Sequence, residues 1–401
     1  MKYKKEEVLQ YVMEDDVKFI RLAFCDVTGR QKNISIMPDE LKRAFDYGIA
    51  IDGSAIRGFC SSSRCDLLLR PEADTLVQLP WRPEHGKVVR MFCDIVCPEG
   101  IPLESDTRRM LKQAVQDAAE AGYSFDFGTE QEFYLFTLDE QGEPTNTPYD
   151  HAGYMDIAPE DKGENIRREI CLMLEQMDIY PERSHHEEGP GQNEIDFRCA
   201  DALTAADQAL TFRTVVKTCA MRNGLYADFS PKPLKNAPGN GLHINISLSN
   251  GTEEDLMYMI GGILQRIPEI TLFLNPQEES YQRFGIDKAP KYISWSRANR
   301  SQLIRIPASD PSHMRAELRS PDPSTNPYLC FALLIYAAME GLQNKILPIP
   351  ETNINLFTAD QETTSRFQPL PSTRQEAETL ARSSDFVKAH VPPAVLKEYC
   401  R

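Results

Sequence analysis

The stretch Ser184–Phe197, with the sequence SHHEEGPGQNEIDF, constrains the fold of this chain more than any other. It places two carboxylates, Glu187 and Glu194, on either side of a Gly-Pro-Gly turn. The residues from Glu194 to Phe197 alternate between polar and apolar, as a strand with one buried face does. The stretch therefore predicts a hairpin with acidic side chains beside its turn. Two acids in such a place are also typical of a solvated hairpin.

Further segments of the chain repeat this design and favour a site over a solvated surface. Each predicted strand carries polar or charged side chains at every second position, on one face. These side chains are Glu130 and Glu132 in 127–136, His243, Asn245 and Ser247 in 241–247, and Arg315, Glu317 and Arg319 in 314–320. The segment 300–307 adds Arg300 and Arg305. A solvent face of an antiparallel sheet is also polar, so no single strand decides the matter.

If these strands line one cavity, five glutamates and His243 converge in it. Carboxylates at such density destabilise a fold unless cations neutralise them. Oxygen ligands with one imidazole and no cysteine suit Mg²⁺ or Mn²⁺. The arginines suit anionic phosphate and carboxylate groups. Acids, hard divalent metals and arginines in one funnel together indicate phosphoryl transfer from a nucleotide.

The 401 residues are enough for two or three domains. Strands at 17–25 and 32–37, a helix at 38–46, and strands near 75–79 and 87–96 predict a small α+β domain that ends near residue 100. An amphipathic helix with its N-cap at 105 or 106 opens a larger domain. In it, segments 163–178, 203–223, 253–266 and 326–346 read as helices. Shorter helices follow near 373–383 and 393–400.

The composition excludes several classes of function. A formal net charge of −16 argues against a general nucleic-acid or anionic-membrane surface. No apolar run approaches the length of a membrane span, and the N-terminus has no signal-peptide core. The ten cysteines form no Cys-x-x-Cys pair and read as reduced thiols. We therefore expect a cytoplasmic protein with neither a nucleic-acid nor a membrane partner.

The order of the motifs resembles that of the glutamine synthetase family, specifically its bacterial type I class. The motifs are DGSAIRGF at 52–59, HHEEGPGQNE at 185–194, KPLKNAPGNGLHINIS at 232–247, NRSQLIRIP at 299–307 and ELRSPDPSTNPY at 317–328. The resemblance runs from about residue 5 to residue 346. It implies an α+β protein with an N-terminal β-grasp domain at 1–100. A catalytic domain at 101–401 would bind ATP, metals and glutamate in a funnel of antiparallel strands.

The resemblance also implies a role for each site residue. Glu132, Glu187 and Glu194 would hold one metal, and Glu130, His243 and Glu317 another. Gly239, Arg283 and Arg319 would seat glutamate, together with Arg300. Arg300, Arg305 and Arg315 would face the phosphates, and Glu182 and Ser247 the nucleotide. Asp52 and Arg300 would be catalytic, Asp52 by reaching into a neighbouring subunit's site to bind and deprotonate ammonium.

The implied reaction joins ammonia to the γ-carboxylate of glutamate through γ-glutamyl phosphate. ATP and two to three Mg²⁺ or Mn²⁺ ions per site would support it. The implied assembly is a homo-oligomer, either a hexameric ring or a double-ring dodecamer, with sites between subunits. The chain stops at Arg401, short of the tail that locks two rings together in the type I class, so ring stacking stays open.

Two departures from the family pattern leave the amine acceptor open. The active-site flap normally carries a glutamate before Ala-Pro, whereas here Lys288 stands at that place with Asp287 beside it. A lysine is cationic at neutral pH and repels ammonium. The residue before Gly239 is Pro238, where glutamine makers usually have asparagine. The alternatives are a γ-glutamyl-amine ligase of the polyamine or ethanolamine type, and a nucleotide-binding relative without ligase activity.

Overall fold

The structure is a computed structural model that describes residues 3–60, 65–82, 85–308 and 314–401. The described helices are α1 (Lys5–Glu14), α2 (Leu41–Tyr47), α3 (Thr107–Glu120), α4 (Glu164–Glu175), α5 (Ala202–Arg222), α6 (Glu253–Leu274), α7 (Pro327–Asn344), α8 (Gln361–Thr364), α9 (Arg374–Ser383), α10 (Asp385–His390) and α11 (Pro393–Tyr399). The described strands are β1 (Val17–Cys25), β2 (Gln31–Ile36), β3 (Ile49–Asp52), β4 (Asp66–Pro71), β5 (Val77–Gln78), β6 (Lys87–Val96), β7 (Phe125–Leu138), β8 (Pro144–Pro148), β9 (Pro181–His186), β10 (Gln192–Phe197), β11 (Ala200–Asp201), β12 (Leu225–Asp228), β13 (Leu242–Leu248), β14 (Trp295–Arg297), β15 (Ile304–Ile306) and β16 (Ala316–Leu318).

The N-terminal part of the chain forms a mixed sheet in the order β2-β1-β6-β4-β3, with β5 also paired to β6. The strands β1 and β6 run parallel, and the other pairs run antiparallel. The apolar side chains of Ile20 and Leu22 on β1 are fully buried. Their burial with the apolar residues of β6 gives this sheet its core, since buried aliphatic side chains stabilise a fold by about 1.5–3 kcal/mol each.

The second sheet follows the order β14-β15-β16-β13-β7-β10-β9, and the short strands β8, β11 and β12 also pair with β7. The long strand β7 lies at its centre, antiparallel to both β13 and β10. The apolar residues of β7, such as Phe133 and Leu135, point away from the polar face and are buried. The period-two alternation that predicted these strands therefore separates a packed face from a polar face.

Helices α6 and α7 pack closely against each other on the core side. A Cβ built on Gly262 of α6 would lie 2.2 Å from the carbonyl oxygen of Ala337 and 2.7 Å from Cα of Gly341 on α7. The two glycines let the backbones of these apolar helices come into contact. Both helices are largely buried, which explains why their sequences lack a polar stripe.

The structure differs from the sequence predictions mainly at element boundaries. Helix α6 continues through Pro268 to Leu274, beyond the predicted end at 266, because tertiary packing overrides the local cost of a proline. Strands β3 and β4 carried too little alternation to be predicted. The predicted strand near 75–79 is reduced to β5, after a single 3₁₀ turn at Ala73–Thr75. Among the described residues, none of the helices is long and apolar enough to cross a membrane.

Candidate active site

The polar faces of six neighbouring strands lie side by side in register. Glu194 on β10 faces His185 on β9 and Glu132 on β7. The next row joins Asp196 on β10 to Glu130 on β7, and Glu130 to His243 on β13. A third row joins Asn245 on β13 to Glu317 on β16, and Glu317 to Arg305 on β15. The strand order thus converts separate alternating patterns into one acidic surface with an arginine edge.

This surface is one wall of a cavity of about 320 Å³. The predicted site residues that line it are Glu130, Glu132, Glu187, Glu194, Gly239, His243, Arg283, Arg300, Arg305, Arg315 and Arg319. Glu317 lies just beneath the wall with 1% of its surface exposed. The cavity is therefore the place where the acids and arginines singled out by the sequence come together.

Glu130, His243 and Glu317 form one acidic group in this wall. One ligand atom from each lies within 4.8 Å of the others. Nδ1 of His243 lies 3.3 Å from Oε2 of Glu130 and 3.9 Å from Oε1 of Glu317. Burial acts to raise the pKa of Glu130, but the His243 and Asn245 contacts outweigh it and lower that pKa to about 2. The group thus presents ionised oxygen donors and one imidazole toward a common point.

Glu317 sits between two arginines. Its Oε2 accepts a 2.6 Å hydrogen bond from Nη1 of Arg305, and its Oε1 accepts one from Nη1 of Arg319. Burial opposes ionisation of Glu317, yet the charge of Arg319, followed by that of His243 and Arg305, lowers its pKa. This carboxylate is charged, buried and fixed in place by the residues on both sides of it.

The second predicted ligand set is arranged differently from the expectation. The structure groups His185, Glu187 and Glu194, with their ligand atoms within 4.8 Å of one another. Glu132 faces Glu194 across the strands, while its Oε2 accepts hydrogen bonds from Nε2 of Gln192 at 3.0 Å and the Gly241 amide at 2.8 Å. His185 belongs to one of the family motifs, but the sequence assigned it no role. His185 is identified by its position directly opposite Glu194 on the neighbouring strand. The sequence does not show this, because strand pairing cannot be read from one strand alone.

Buried negative charge accumulates around Glu194. Burial raises the pKa of Glu194 well above its ordinary value, and the charges of Asp196 and Glu132 raise it further. Asp196, which sequence reasoning missed, is buried in the same wall, and its Oδ2 forms an ion pair with Nη2 of Arg183 at 2.7 Å. Its alternation with Glu194 along β10 was the signal that could have identified it. Burial, followed by the charge of neighbouring carboxylates, raises the pKa of both Glu194 and Asp196. A bound cation would favour the ionised form of such carboxylates.

The donor chemistry therefore fits the divalent metals that the motifs imply. Glu130, His243 and Glu317 offer one oxygen-rich set, and His185, Glu187 and Glu194 offer another, with Glu132 opposite Glu194 on the next strand. Carboxylate oxygens with a single imidazole are ligands for Mg²⁺ and Mn²⁺, and no cysteine lines the cavity among the described residues.

Gly239 and Arg283 lie against each other in the lining of the same cavity. A Cβ on Gly239 would lie 2.5 Å from the Pro231 carbonyl oxygen and 2.7 Å from Cγ of Arg283. Arg283 is buried, and its guanidinium donates to the Ser320 carbonyl at 3.1 Å and to the Pro321 carbonyl at 3.3 Å. Only glycine at 239 leaves room for this arginine, so the pair forms a fixed cationic corner.

The remaining arginines differ in how firmly they are held. Arg315 donates from Nε to Oδ1 of Asn245 at 2.9 Å, and Arg305 is fixed by Glu317. Arg300 lines the cavity but is exposed to solvent. A row of guanidinium groups with one exposed member suits an anion that enters from solvent.

Three predicted residues lie outside this cavity in the single chain. Glu182 is exposed on β9, and Ser247 is half-buried farther along β13. Asp52 is exposed in the N-terminal part, where its Oδ1 accepts hydrogen bonds from the amide of Ser54 at 2.9 Å and its hydroxyl at 2.7 Å. Asp52 therefore caps a turn in its own chain, and its predicted catalytic role requires a second subunit.

The flap that carries the unusual lysine closes one side of the cavity. Residues 286–289 line it. Nζ of Lys288 forms an ion pair with Glu188 and lies 5.2 Å from the centre of the Tyr154 ring. Oδ2 of Asp287 lies 3.1 Å from Nζ of Lys232. Two ion pairs therefore hold the flap, and one of them keeps the Lys288 ammonium group beside Glu188 at the edge of the cavity.

Comparisons with known proteins agree with this geometry. Residues 16–98 match the profile of the glutamine synthetase β-grasp domain, and residues 104–401 match that of the glutamine synthetase catalytic domain. The chain is 42% identical to the glutamine synthetase of Clostridium saccharobutylicum, over 99% of this chain and 94% of that protein. It is 44% identical to that of Methanosarcina mazei, over 98% and 92% respectively.

A solved structure gives the same result for the fold. The structure "GmaS/ADP complex-Conformation 1" aligns with a TM-score of 0.89 and 26% identity, over 98% of this chain and 94% of that one. The expected α+β class, with a β-grasp domain followed by a catalytic domain, is confirmed. The chain belongs to the glutamine synthetase family and is an enzyme of it, a carbon–nitrogen ligase.

Proposed function

We propose that this chain makes glutamine by joining ammonia to the γ-carboxylate of L-glutamate, with ATP as the phosphoryl donor. The observation that carries the proposal is the single cavity in which acidic metal-ligand groups meet a row of arginines. Support also comes from relatives named glutamine synthetase at 40–44% identity over nearly the whole chain. The similar GmaS structure is a complex with ADP, which supports a nucleotide site in this fold.

In the proposed reaction, an oxygen of the glutamate γ-carboxylate attacks the terminal phosphorus of ATP. The bond between that phosphorus and the bridging oxygen breaks, and ADP leaves with the electron pair. Ammonia then attacks the acyl carbon of γ-glutamyl phosphate, and inorganic phosphate leaves. The ammonium proton must be removed before this attack, the task we assign to Asp52 of a second subunit.

Glutamate is assigned to the corner made by Gly239, Arg283 and Arg319. The two arginines are buried and held by backbone carbonyls or by Glu317, so they cost little reorganisation when a carboxylate binds. Burial lowers the pKa of Arg283, and a substrate carboxylate would favour its charged form again. This corner therefore orients glutamate with its side chain toward the acidic wall.

The nucleotide phosphates are assigned to Arg300, Arg305 and Arg315, with Glu182 and Ser247 toward the rest of the nucleotide. Guanidinium groups in fixed positions stabilise negative charge as it moves from the carboxylate to the phosphates. Two to three Mg²⁺ or Mn²⁺ ions, held by the two acidic groups, would supply the charge that neutralises the triphosphate. The acids position the ions, and the arginines position the phosphates.

A γ-glutamyl-amine ligase is the second candidate, and one observation favours it. The flap carries Lys288, whose ammonium group is fixed by Glu188 and the Tyr154 ring at the edge of the cavity. A cation at this edge disfavours binding of ammonium. Putrescine and ethanolamine are also cations at neutral pH, but their longer chains offer contacts that ammonium lacks and that can offset this repulsion. Pro238, whose carbonyl accepts a 2.6 Å hydrogen bond from Tyr134, marks the same end of the site.

The test measures glutamate-dependent ADP release from ATP and Mg²⁺ with ammonium, putrescine, ethanolamine or no amine, and identifies the product by mass. Ammonium-dependent ADP release with stoichiometric glutamine supports the proposal. A γ-glutamyl product from a larger amine, without glutamine from ammonium, would replace it by the second candidate. Repeating the ammonium assay with Mn²⁺ decides the metal preference.

A further inference from the structure

A second cavity lies between the N-terminal sheet and helix α5, and it shares no lining residue with the acidic cavity described above. Its volume is about 60 Å³, several times the roughly 10–15 Å³ that one ordered water needs. It is lined by Arg21, Gln31, Asn33, Leu79, Trp81, Arg90, Met177, Thr211 and Thr214. Asn33 is exposed, whereas Arg90 and Thr211 are buried, so the cavity opens to solvent at one end and ends on Arg90.

Two arginines stand side by side in this cavity. Arg21 on β1 and Arg90 on β6 are direct partners in the parallel strand register. Like charges placed opposite each other on neighbouring strands destabilise a sheet. Among the described residues that line the cavity, there is no carboxylate to compensate them. The sheet thus concentrates positive charge in a chain whose formal net charge is −16.

The hydrogen bonds of Arg90 are incomplete. Its side chain is 6% exposed, Nη1 donates to the Thr211 hydroxyl at 2.9 Å, and the guanidinium stacks 4.0 Å from the Phe92 ring centre. Its Nε is buried without a hydrogen-bond partner, and so is Nε of Arg21. Burial lowers the pKa of Arg90 to about 10. A buried guanidinium donor without an acceptor is costly, which makes an absent acceptor the simplest explanation.

Asp207 is the carboxylate whose charge acts most on Arg90, but its oxygens already accept hydrogen bonds from other residues. Asp207 receives two hydrogen bonds from Arg108, at 2.9 and 2.8 Å, and one from the Tyr328 hydroxyl at 2.5 Å. Gln31 accepts from Thr214 through Oε1 at 3.4 Å, which leaves its amide group as a donor. The lining therefore offers guanidinium, amide and hydroxyl donors around one small space.

We propose that this cavity binds a small oxoanion, a phosphate or a carboxylate, between Arg21 and Arg90. The anion accepts hydrogen bonds from both guanidinium groups and neutralises the paired charges. It also connects the N-terminal sheet to α5. That helix contacts the strand of the acidic wall through Arg213, whose Nε donates to Gln131 on β7 at 3.3 Å. This site is separate from the proposed catalytic cavity and does not depend on the ligase reaction.

Trp81 lines the cavity and gives a local reporter, since the chain has two tryptophans and the other, Trp295, is buried elsewhere. In a Trp295→Phe protein, the emission of Trp81 is measured during separate titrations with inorganic phosphate and acetate at constant ionic strength. We expect a saturable change with one of them. The anion that acts at the lower concentration decides between a phosphoryl and a carboxylate ligand. Iodide should quench Trp81 saturably, and the preferred anion should reverse this quenching.

Two variants and one control test the assignment. Arg21→Gln should weaken the apparent affinity at least about tenfold, because it removes one charged hydrogen-bond partner. Arg90→Met should abolish the response, and Arg21→Gln keeps the test decisive if this buried variant fails to fold. Arg43→Gln removes an exposed arginine charge on α2, outside the lining, and should leave the affinity nearly unchanged. A response that is not saturable, or that is equal in Arg21→Gln and Arg43→Gln, overturns the proposal.

Discussion

Nη1 of Arg305 lies 2.6 Å from Oε2 of Glu317, on neighbouring strands whose register places the two residues directly opposite each other. The other oxygen of the same carboxylate is bound by Arg319. Glu317 therefore links a proposed phosphate-binding arginine, a proposed glutamate-binding arginine and the metal-ligand group with His243. A single residue that joins three proposed functions gives the sharpest test of the site.

Replacing Glu317 by alanine should abolish ligation, since it removes a proposed metal ligand and leaves the buried Arg319 and the half-buried Arg305 without their acceptor. Glu317→Gln keeps the shape and one acceptor oxygen, so it should fold better and still lose about 100-fold or more in kcat. Removing one partner of a buried ion pair costs about 3–5 kcal/mol, which should appear as a lower Tm for the alanine variant. ADP release and thermal unfolding measure the two effects. Ligation at the wild-type rate by Glu317→Gln contradicts the metal assignment.

The position of Asp52 predicts subunit complementation. This residue is exposed and caps a turn in its own chain, outside the cavity. Asp52→Asn and Glu194→Gln should each be inactive alone, whereas mixed oligomers should regain activity because some sites combine an intact Asp52 with an intact acidic wall. Co-expression with two affinity tags and an ammonium-dependent assay of the doubly purified fraction measure this. Failure of mixed oligomers to exceed either parent contradicts a shared site.

The face on which a side chain lies could be predicted from the sequence of a single strand, whereas the neighbours of that strand could not. The alternation at 127–136 and 241–247 placed Glu130, Glu132 and His243 on one face, since side-chain parity is a property of a single strand. The neighbours of a strand depend on the whole topology, so the rows His185–Glu194 and Asp196–Glu130 became visible only in the structure. The β-grasp fold came from family motifs, because β3 and β4 have weak patterns of their own. The cavity between Arg21 and Arg90 had no sequence signal, as it depends on parallel pairing of strands about seventy residues apart.

Gly239→Ala should weaken glutamate binding. The added Cβ would lie 2.5 Å from the Pro231 carbonyl oxygen and 2.7 Å from Cγ of Arg283, so both the backbone and the arginine must shift in the corner assigned to glutamate. A displacement of about 1 Å costs up to about 100-fold, seen as a higher KM for glutamate with a smaller change in KM for ATP. Gly153→Ala is the matched control, since its Cβ meets only a carboxylate tip at 3.4 Å. Equal KM values for glutamate in the two variants contradict the assignment.

His390 predicts a loss of stability in mild acid. It stacks on Tyr336 with ring centres 3.8 Å apart, and burial lowers its pKa below the ordinary 6.5. The unfolded chain binds a proton near pH 6.5, whereas the folded chain resists it, so stability present above that pH is lost as the pH falls toward the lowered value. Tm between pH 7.5 and 5 should therefore fall less in His390→Phe than in the wild type. Parallel curves for the two proteins contradict this cause.

Lys288 is the flap residue to which we assign control over the choice of amine. Its ammonium group is fixed by Glu188 and the Tyr154 ring, and it and Asp287 both adopt positive φ angles, 64° and 46°. Residues other than glycine hold such angles only where the surrounding contacts enforce them. These contacts hold the Lys288 charge at the edge of the cavity, where we expect it to oppose the approach of ammonium.

Replacing Lys288 should change the use of ammonium in a graded way. Lys288→Gln removes the charge without creating a new repulsion with Glu188, and should lower KM for ammonium about threefold. Lys288→Glu attracts ammonium as well, and should lower it about tenfold if the flap still closes beside Glu188. Lys291→Gln is the matched control, because this lysine lies near the flap but outside the cavity lining. An ammonium KM that rises from Lys288→Glu to Lys288→Gln to the wild type supports charge control by the flap. Equal KM values for these three proteins mean that the amine is selected elsewhere in the site.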